Sequence, residues 1–124
     1  MKSLFAIKIV KRFIMLLEIK DLNFNYSDKA IFQSFNLQAS PGKIIHINGP
    51  SGAGKTTLLH LIAGIQSPQS GAITLGEEVF YDNKQELLIE ERRVGLIFQD
   101  YALFPHLNVD NNISFGNKNI TEEK

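Results

Sequence analysis

Apolar and polar residues alternate through the first third of the chain. Over residues 16–22, and on through Phe24 and Tyr26, apolar side chains recur at nearly every second place, the period of one or two half-buried strands. Ser27-Asp28-Lys29 interrupts as a turn, residues 31–37 resume the alternation, and Ser40-Pro41-Gly42 marks a second turn. Residues 43–48 form a short β-branched run that predicts a further strand. The period then changes. Leu58, Leu59, Leu61 and Ile62 fall at helical spacing within residues 55–63, and Gly64 supplies a natural stop. Residues 67–71 read as a loop, and residues 72–75 and 78–81 flank Gly76-Glu77 as a hairpin. Residues 83–91 are polar without a clear element, residues 94–98 predict a strand, and from Leu103 onward loop mixes with short helix.

Composition narrows this to one globular domain. The chain has 124 residues, 44% hydrophobic and 21% charged, close to globular averages. A chain of this length buries roughly two-thirds of its unfolded surface. Lysine plus arginine equals aspartate plus glutamate, 13 against 13. That balance speaks against a general nucleic-acid binder, so no nucleic-acid partner is expected. The absence of cysteine excludes disulfides and thiolate metal sites. No stretch approaches the roughly 18 uninterrupted apolar residues of a membrane span. In residues 1–14, Lys8, Lys11 and Arg12 break each apolar run before a signal-peptide core forms. This stretch reads as an N-terminal extension or misassigned start: an over-extended beginning, a loose tail or an interfacial basic helix. Residues 15–124 hold the domain proper.

The chemistry lies between the predicted strand 43–48 and the helix 55–63. Gly49-Pro50-Ser51-Gly52-Ala53-Gly54-Lys55-Thr56 satisfies G-x-x-x-x-G-K-[ST] at every fixed position. Glycines let the backbone turn tightly and bring its amides against phosphate oxygens. Those amides form a concave anion nest at a helix start, where the helix dipole adds positive potential. Lys55 brings a full charge to the outer phosphates, the Thr56 hydroxyl is placed to ligate Mg²⁺, and Thr57 completes the candidate set. The motif and its strand-to-helix setting predict an α/β fold with a P-loop that holds a nucleoside triphosphate.

Other landmarks choose among P-loop proteins. A GTPase reading wants Asp-x-x-Gly and Asn-Lys-x-Asp, but no Asp here precedes Gly by three places, and Asn83-Lys84-Gln85-Glu86 ends in the wrong acid. A nucleoside-kinase reading wants an arginine-bearing lid, and Arg92 and Arg93, the only arginines after the loop, precede a strand.

The chain resembles the ATP-binding subunit of ABC transporters. Gly52-Ala53-Gly54-Lys55-Thr56-Thr57-Leu58-Leu59 with Ile62-Ala63-Gly64 is similar to that family's Walker A helix. Arg92-Arg93-Val94-Gly95-Leu96-Ile97-Phe98-Gln99-Asp100-Tyr101-Ala102-Leu103-Phe104-Pro105-His106-Leu107 resembles its Q-loop region, and Asn112-Ile113-Ser114-Phe115-Gly116 the usual continuation. The resemblance covers about residues 16 to 116 and implies ATP and Mg²⁺ as ligands. It implies that Gln99 touches Mg²⁺ and the attacking water, its amide oxygen being a hard ligand suited to magnesium. Tyr26 resembles the aromatic that stacks on adenine, with Phe24 on the same strand face as the alternative. Leu103-Phe104-Pro105 resembles the surface that meets a transmembrane permease subunit, against an ordinary buried loop. A second ATP-binding subunit, giving a dimer, and a cytoplasmic place on the inner face of the membrane are implied as well.

Several features depart from the family pattern. Thr56-Thr57 replaces the common Ser-Thr pair and keeps the hydroxyl. Lys43 stands for a usual acid and His46 for a small or apolar residue. His46, His60 and His106 have no metal-site spacing and are read as ordinary structural residues. Three pieces that hydrolysis requires in this family are not found: a Ser-Gly-Gly signature, an apolar strand ending in Asp-Glu, and a downstream histidine. Asp82 and Asp100 follow apolar runs but are read as decoys. The expectation is therefore an incomplete P-loop NTPase core with an antiparallel β subdomain, the N-terminal half of an importer subunit that retains Walker A and the Q-loop. A truncated frame, one piece of a split protein and a cut fragment all fit, and a long unpaired strand edge is expected. The alternative is a non-catalytic nucleotide-binding or regulatory module completed by another chain; an unrelated small P-loop kinase ranks behind both. The Arg92–Leu107 string is similar to importers of small anions or cofactors, molybdate among them, though solute choice lies in other subunits.

Overall fold

The computed structural model describes residues 7–9, 15–99 and 103–115. The remainder of the N-terminal extension, and Asp100, Tyr101, Ala102 and Gly116, lie outside the described residues. The elements in chain order are β1 (Ile7–Ile9), β2 (Leu17–Tyr26), β3 (Lys29–Ala39), α1 (Lys55–Ala63), β4 (Ser70–Leu75), β5 (Glu78–Tyr81), β6 (Val94–Leu96) and α2 (Val109–Ser114), with a 3₁₀ turn at Ile89–Glu91. Four antiparallel strands in the order β3-β2-β4-β5 make the main sheet, and β1 pairs antiparallel with β6, Ile7 opposite Leu96. The architecture is α/β, with an antiparallel sheet packed against the helix that follows the glycine-rich loop.

The sheet shows how the early alternation is read. Leu17 and Ile19 point inward, and so do Leu22 and Phe24, which is a shift of one place in the alternation. A strictly pleated strand would send the second pair to solvent. The chain absorbs the shift at Asp21, where φ is 49° and the β2–β4 register slips between Lys20 and Asn23. Aspartate tolerates this left-handed conformation better than most residues. Side-chain amides hold the bulge: Asp21 N–H donates to Asn36 at 3.1 Å, and Asn23 accepts from Ser34 N–H at 3.0 Å. Of the one or two strands predicted, the structure has one, long and bulged.

Against this sheet α1 lays Leu58, Leu61 and Ile62, which with Leu17, Ile19, Phe32, Ile73, Leu75 and Phe80 form the core. Each fully buried aliphatic or phenyl side chain contributes about 1.5–3 kcal/mol. Gly64 ends the helix at φ 90°, its N–H donating to the His60 carbonyl at 3.0 Å. The predicted bounds of this helix and of β5 agree with the structure, whereas β4 starts two residues earlier than predicted, at Ser70, inside the stretch read as loop. Asp82 shapes the turn after β5, its carboxylate accepting the backbone N–H of Lys84 and Gln85 at 2.8 Å each. It is a turn residue, which accords with its reading as a decoy.

Three expectations change. Residues 43–48 carry no regular secondary structure and pair with no strand among the described residues, and Ile44 is 98% exposed. A strand needs a neighbour to bond its amides, and none stands beside this run. The strand at 94–98 is shorter, ending at Leu96, with Ile97 and Phe98 exposed. The extension is not wholly loose, because residues 7–9 pair with β6.

Candidate functional site

The loop 49–54 connects residues 43–48 to α1, and its geometry follows from two glycines. Gly52 has φ 82° and Gly54 φ 100°, conformations in which a side chain is strained. At Gly54 the space is closed too: an added Cβ would lie 2.6 Å from Ile31 Cγ2 and 3.2 Å from the Phe32 ring. The loop therefore presses directly on β3. Gly54 is also the N-cap of α1, and no side chain caps the helix there. The first-turn amides, which a Ser or Asp cap would otherwise occupy, thus face the loop's concave side.

Lys55 opens the helix and folds back over this concavity. Its Nζ donates to the Gly49 carbonyl and, at 2.9 Å, to the Pro50 carbonyl. Two carbonyls hold the ammonium over the loop, so its position is set without a ligand. Thr56 is exposed beside it, whereas Thr57 is buried and its hydroxyl lies 3.3 Å from that of Tyr26. The two adjacent threonines consequently differ: Thr56 faces the cavity freely, and Thr57 braces the wall.

A cavity of about 530 Å³ sits over the loop, lined by Tyr26, Lys29, Ser51, Lys55, Thr56 and Gln99 among others. Among the described residues, two cations and no carboxylate line it. Tyr26 ends β2 and forms one wall, 42% exposed, its ring edge-to-face with Phe24 at 4.9 Å. Phe24 itself is buried in the core. The Tyr26 hydroxyl lies 2.9 Å from the side-chain oxygen of Gln66 and 2.6 Å from its nitrogen. Gln66, which holds the Tyr26 hydroxyl from behind the lining, gave no signal in the sequence beyond its place just after the Gly64 stop. Gln99 also lines an adjoining apolar groove of about 510 Å³ with Thr56, Leu59, His60, Leu96, Ile97 and Phe98. The structure thus brings Tyr26, Ser51, Gly52, Gly54, Lys55, Thr56, Thr57 and Gln99 to one cavity. Gly49 and Pro50 enter as acceptors for Lys55, and Ala53 N–H closes the loop on the Pro50 carbonyl at 3.2 Å.

The histidines form no metal cluster, and none of three or more His, Cys, Asp or Glu occurs among the described residues. Further along, Leu103, Phe104 and Pro105 are all exposed rather than buried. Phe104 packs on Phe115 at 4.4 Å, and the Asn112 side chain accepts the Phe104 N–H at 2.9 Å and donates to the Leu107 and Asn108 carbonyls at 3.0 and 2.9 Å. This loop keeps its shape while showing apolar surface.

Residues 32–124 match the ABC transporter family. The chain belongs to that family. Among curated ABC transporter proteins it is 41% identical over 102 residues to the spermidine/putrescine import ATP-binding protein PotA of Pasteurella multocida (strain Pm70), covering 82% of this chain and 26% of that protein. It is 39% identical over 109 residues to the Fe(3+) ions import ATP-binding protein FbpC 2 of Pectobacterium atrosepticum, covering 88% of this chain and 32% of that protein. The chain spans about a quarter to a third of the length of these curated relatives. The cargo in the two names differs, and neither is molybdate.

Proposed function

We propose that this chain carries the nucleotide-gripping part of an ABC importer's ATP-binding subunit and binds ATP with Mg²⁺ at residues 49–57. One arrangement carries the reading: left-handed Gly52 and Gly54 beside an uncapped helix start, with the Lys55 ammonium already held over the loop. The donor set fits a triphosphate, since amides and two cations line the cavity and no carboxylate does so among the described residues. Thr56 and Gln99 offer a hydroxyl and an amide oxygen, the hard ligands magnesium takes. The metal, when bound, would neutralise phosphate charge; the residues themselves bind and orient.

The same lining argues for holding over cleavage. Hydrolysis needs a base to orient and deprotonate water, and losing one costs on the order of 10²- to 10⁴-fold in rate. No such base lines this cavity among the described residues. Titration with a fluorescent ATP analogue and Mg²⁺ should give saturable binding, and phosphate release should stay at background. Turnover that disappears in Lys55→Ala would overturn the binding-only reading, and a lack of saturable uptake by folded protein would overturn the whole.

Tyr26 offers the base a flat face. Tyr26→Ala should weaken ATP binding by about 5- to 150-fold, the worth of one base–aromatic stack of about 1–3 kcal/mol. Tyr26→Phe should keep nucleotide affinity and lose only the bonds to Gln66 and Thr57, about 0.5–1.5 kcal/mol of stability. Parallel affinity and melting measurements separate the two effects. A permease subunit docked on the exposed Leu103-Phe104-Pro105 surface, a second ATP-binding subunit and a place on the inner face of the membrane belong to the same proposal.

A further inference from the structure

Among the described residues, Arg92 is the one buried charged side chain, with 0% of its surface exposed. Its guanidinium reaches separate stretches of chain. Nη1 donates to the Leu61 and Ile62 carbonyls at 2.9 and 3.2 Å, in the last turn of α1. Nε donates to the Leu87 carbonyl at 3.0 Å. Nη2 lies 3.3 Å from a Glu86 carboxylate oxygen, which also accepts the Ser67 hydroxyl at 2.7 Å. The cation sits over the Phe80 ring at 5.5 Å, and a Cβ on Gly64 would come within 2.7 Å of Nε.

Burying a guanidinium is costly unless its donors are satisfied, and a well-packed apolar side chain of similar volume is often as stable or more so. Filling space alone therefore does not require arginine here. A rigid fork of donors supplies registration instead. The Leu61 and Ile62 carbonyls belong to the negative end of the helix whose other end carries Lys55 and Thr56. Arg92 precedes a fixed corner, Arg93 with φ 50°, from which β6 runs out toward Gln99. One side chain outside the cavity lining thus ties the helix bearing the phosphate loop to the strand delivering the glutamine.

We propose that Arg92 is a positioning residue: it fixes β6 against α1 so that Gln99 and Thr56 reach the same Mg²⁺. The inference rests on the reading of Gln99 and Thr56 as magnesium contacts given above. Its readout is the Mg²⁺ enhancement of ATP-analogue binding in the full chain, the ratio of Kd in EDTA to Kd in Mg²⁺. Arg92→Lys keeps the charge and loses the fork. It should lower that ratio about tenfold, the scale of one lost bond to a charged group, while the metal-free Kd changes less than about twofold. Gln99→Ala should lower the ratio to a similar extent, and the double variant no further, since both act on one contact. Equal losses with and without metal, no loss at all, or independent losses that multiply in the double variant would each overturn the proposal. An unchanged ratio in Gln99→Ala alone would strike the Gln99 reading first and take the proposal down with it. Should Arg92→Lys fail to fold, Glu86→Gln, which alters one outer partner of the fork, should show the same metal-specific pattern at about threefold; a flat or metal-independent result there overturns it as well.

Discussion

Lys55→Ala should weaken ATP–Mg²⁺ binding by about 10- to 150-fold, the equivalent of about 1.5–3 kcal/mol for one charge-assisted contact. The loop amides and the helix dipole remain in the variant, so some affinity survives. Folding should hardly change. The ammonium is partly exposed and its two acceptors are loop carbonyls, Gly49 and Pro50. Losing bonds of this kind costs about 0.5–1.5 kcal/mol each at most, less where water replaces the donor. Lys55→Arg should fail almost as badly, because a planar fork cannot bridge those carbonyls as a compact ammonium does. Fluorescence titration beside a circular-dichroism melt decides the matter. If both variants bind as the parent does, Lys55 is only a staple for the loop, and the phosphate reading loses its main charge.

What the sequence made legible was whatever depends on neighbours along the chain. The helix Lys55–Ala63 and its glycine stop were readable because period, motif and terminator agree over a short span. The β4–β5 hairpin was readable for the same reason. What failed depends on partners distant in sequence. Residues 43–48 have strand-forming composition, yet propensity provides no neighbouring edge, and the run pairs with none of the described residues, with Ile44 in solvent. The Asp21 bulge left only an indirect trace, a slip from odd to even in the apolar places, which resolves into a kink once β4 is beside it. Arg92 was unreadable as a buried residue, since arginine is ordinarily exposed and its partners Leu61, Ile62 and Leu87 offer backbone oxygens. For the cavity, the cradle was legible residue by residue. The Tyr26–Gln66 contact was not, because it joins the end of β2 to the loop after α1.

The largest loss of stability should come from Leu61→Ala. Leu61 is fully buried at the middle of the core, and its carbonyl is one of the three that anchor Arg92. Deleting such a side chain costs about 2–5 kcal/mol through lost transfer energy and the cavity left behind. A small domain has about 5–15 kcal/mol in all. This one also shows Ile44, Leu103, Val109 and Ile113 to solvent, so less of its apolar surface works for folding than its composition would permit. ATP could offset only part of the deficit, about 2.7 kcal/mol at a hundredfold excess over Kd. The variant should therefore unfold at distinctly lower urea and recover partially when ATP and Mg²⁺ are added. Ile113→Ala, at an exposed place on α2, should stay within about 0.5 kcal/mol of the parent. Paired urea titrations followed by circular dichroism make the comparison. If the two substitutions cost the same, α1 is not seated on the sheet as described, and the loop it carries has no fixed base from which to grip phosphate.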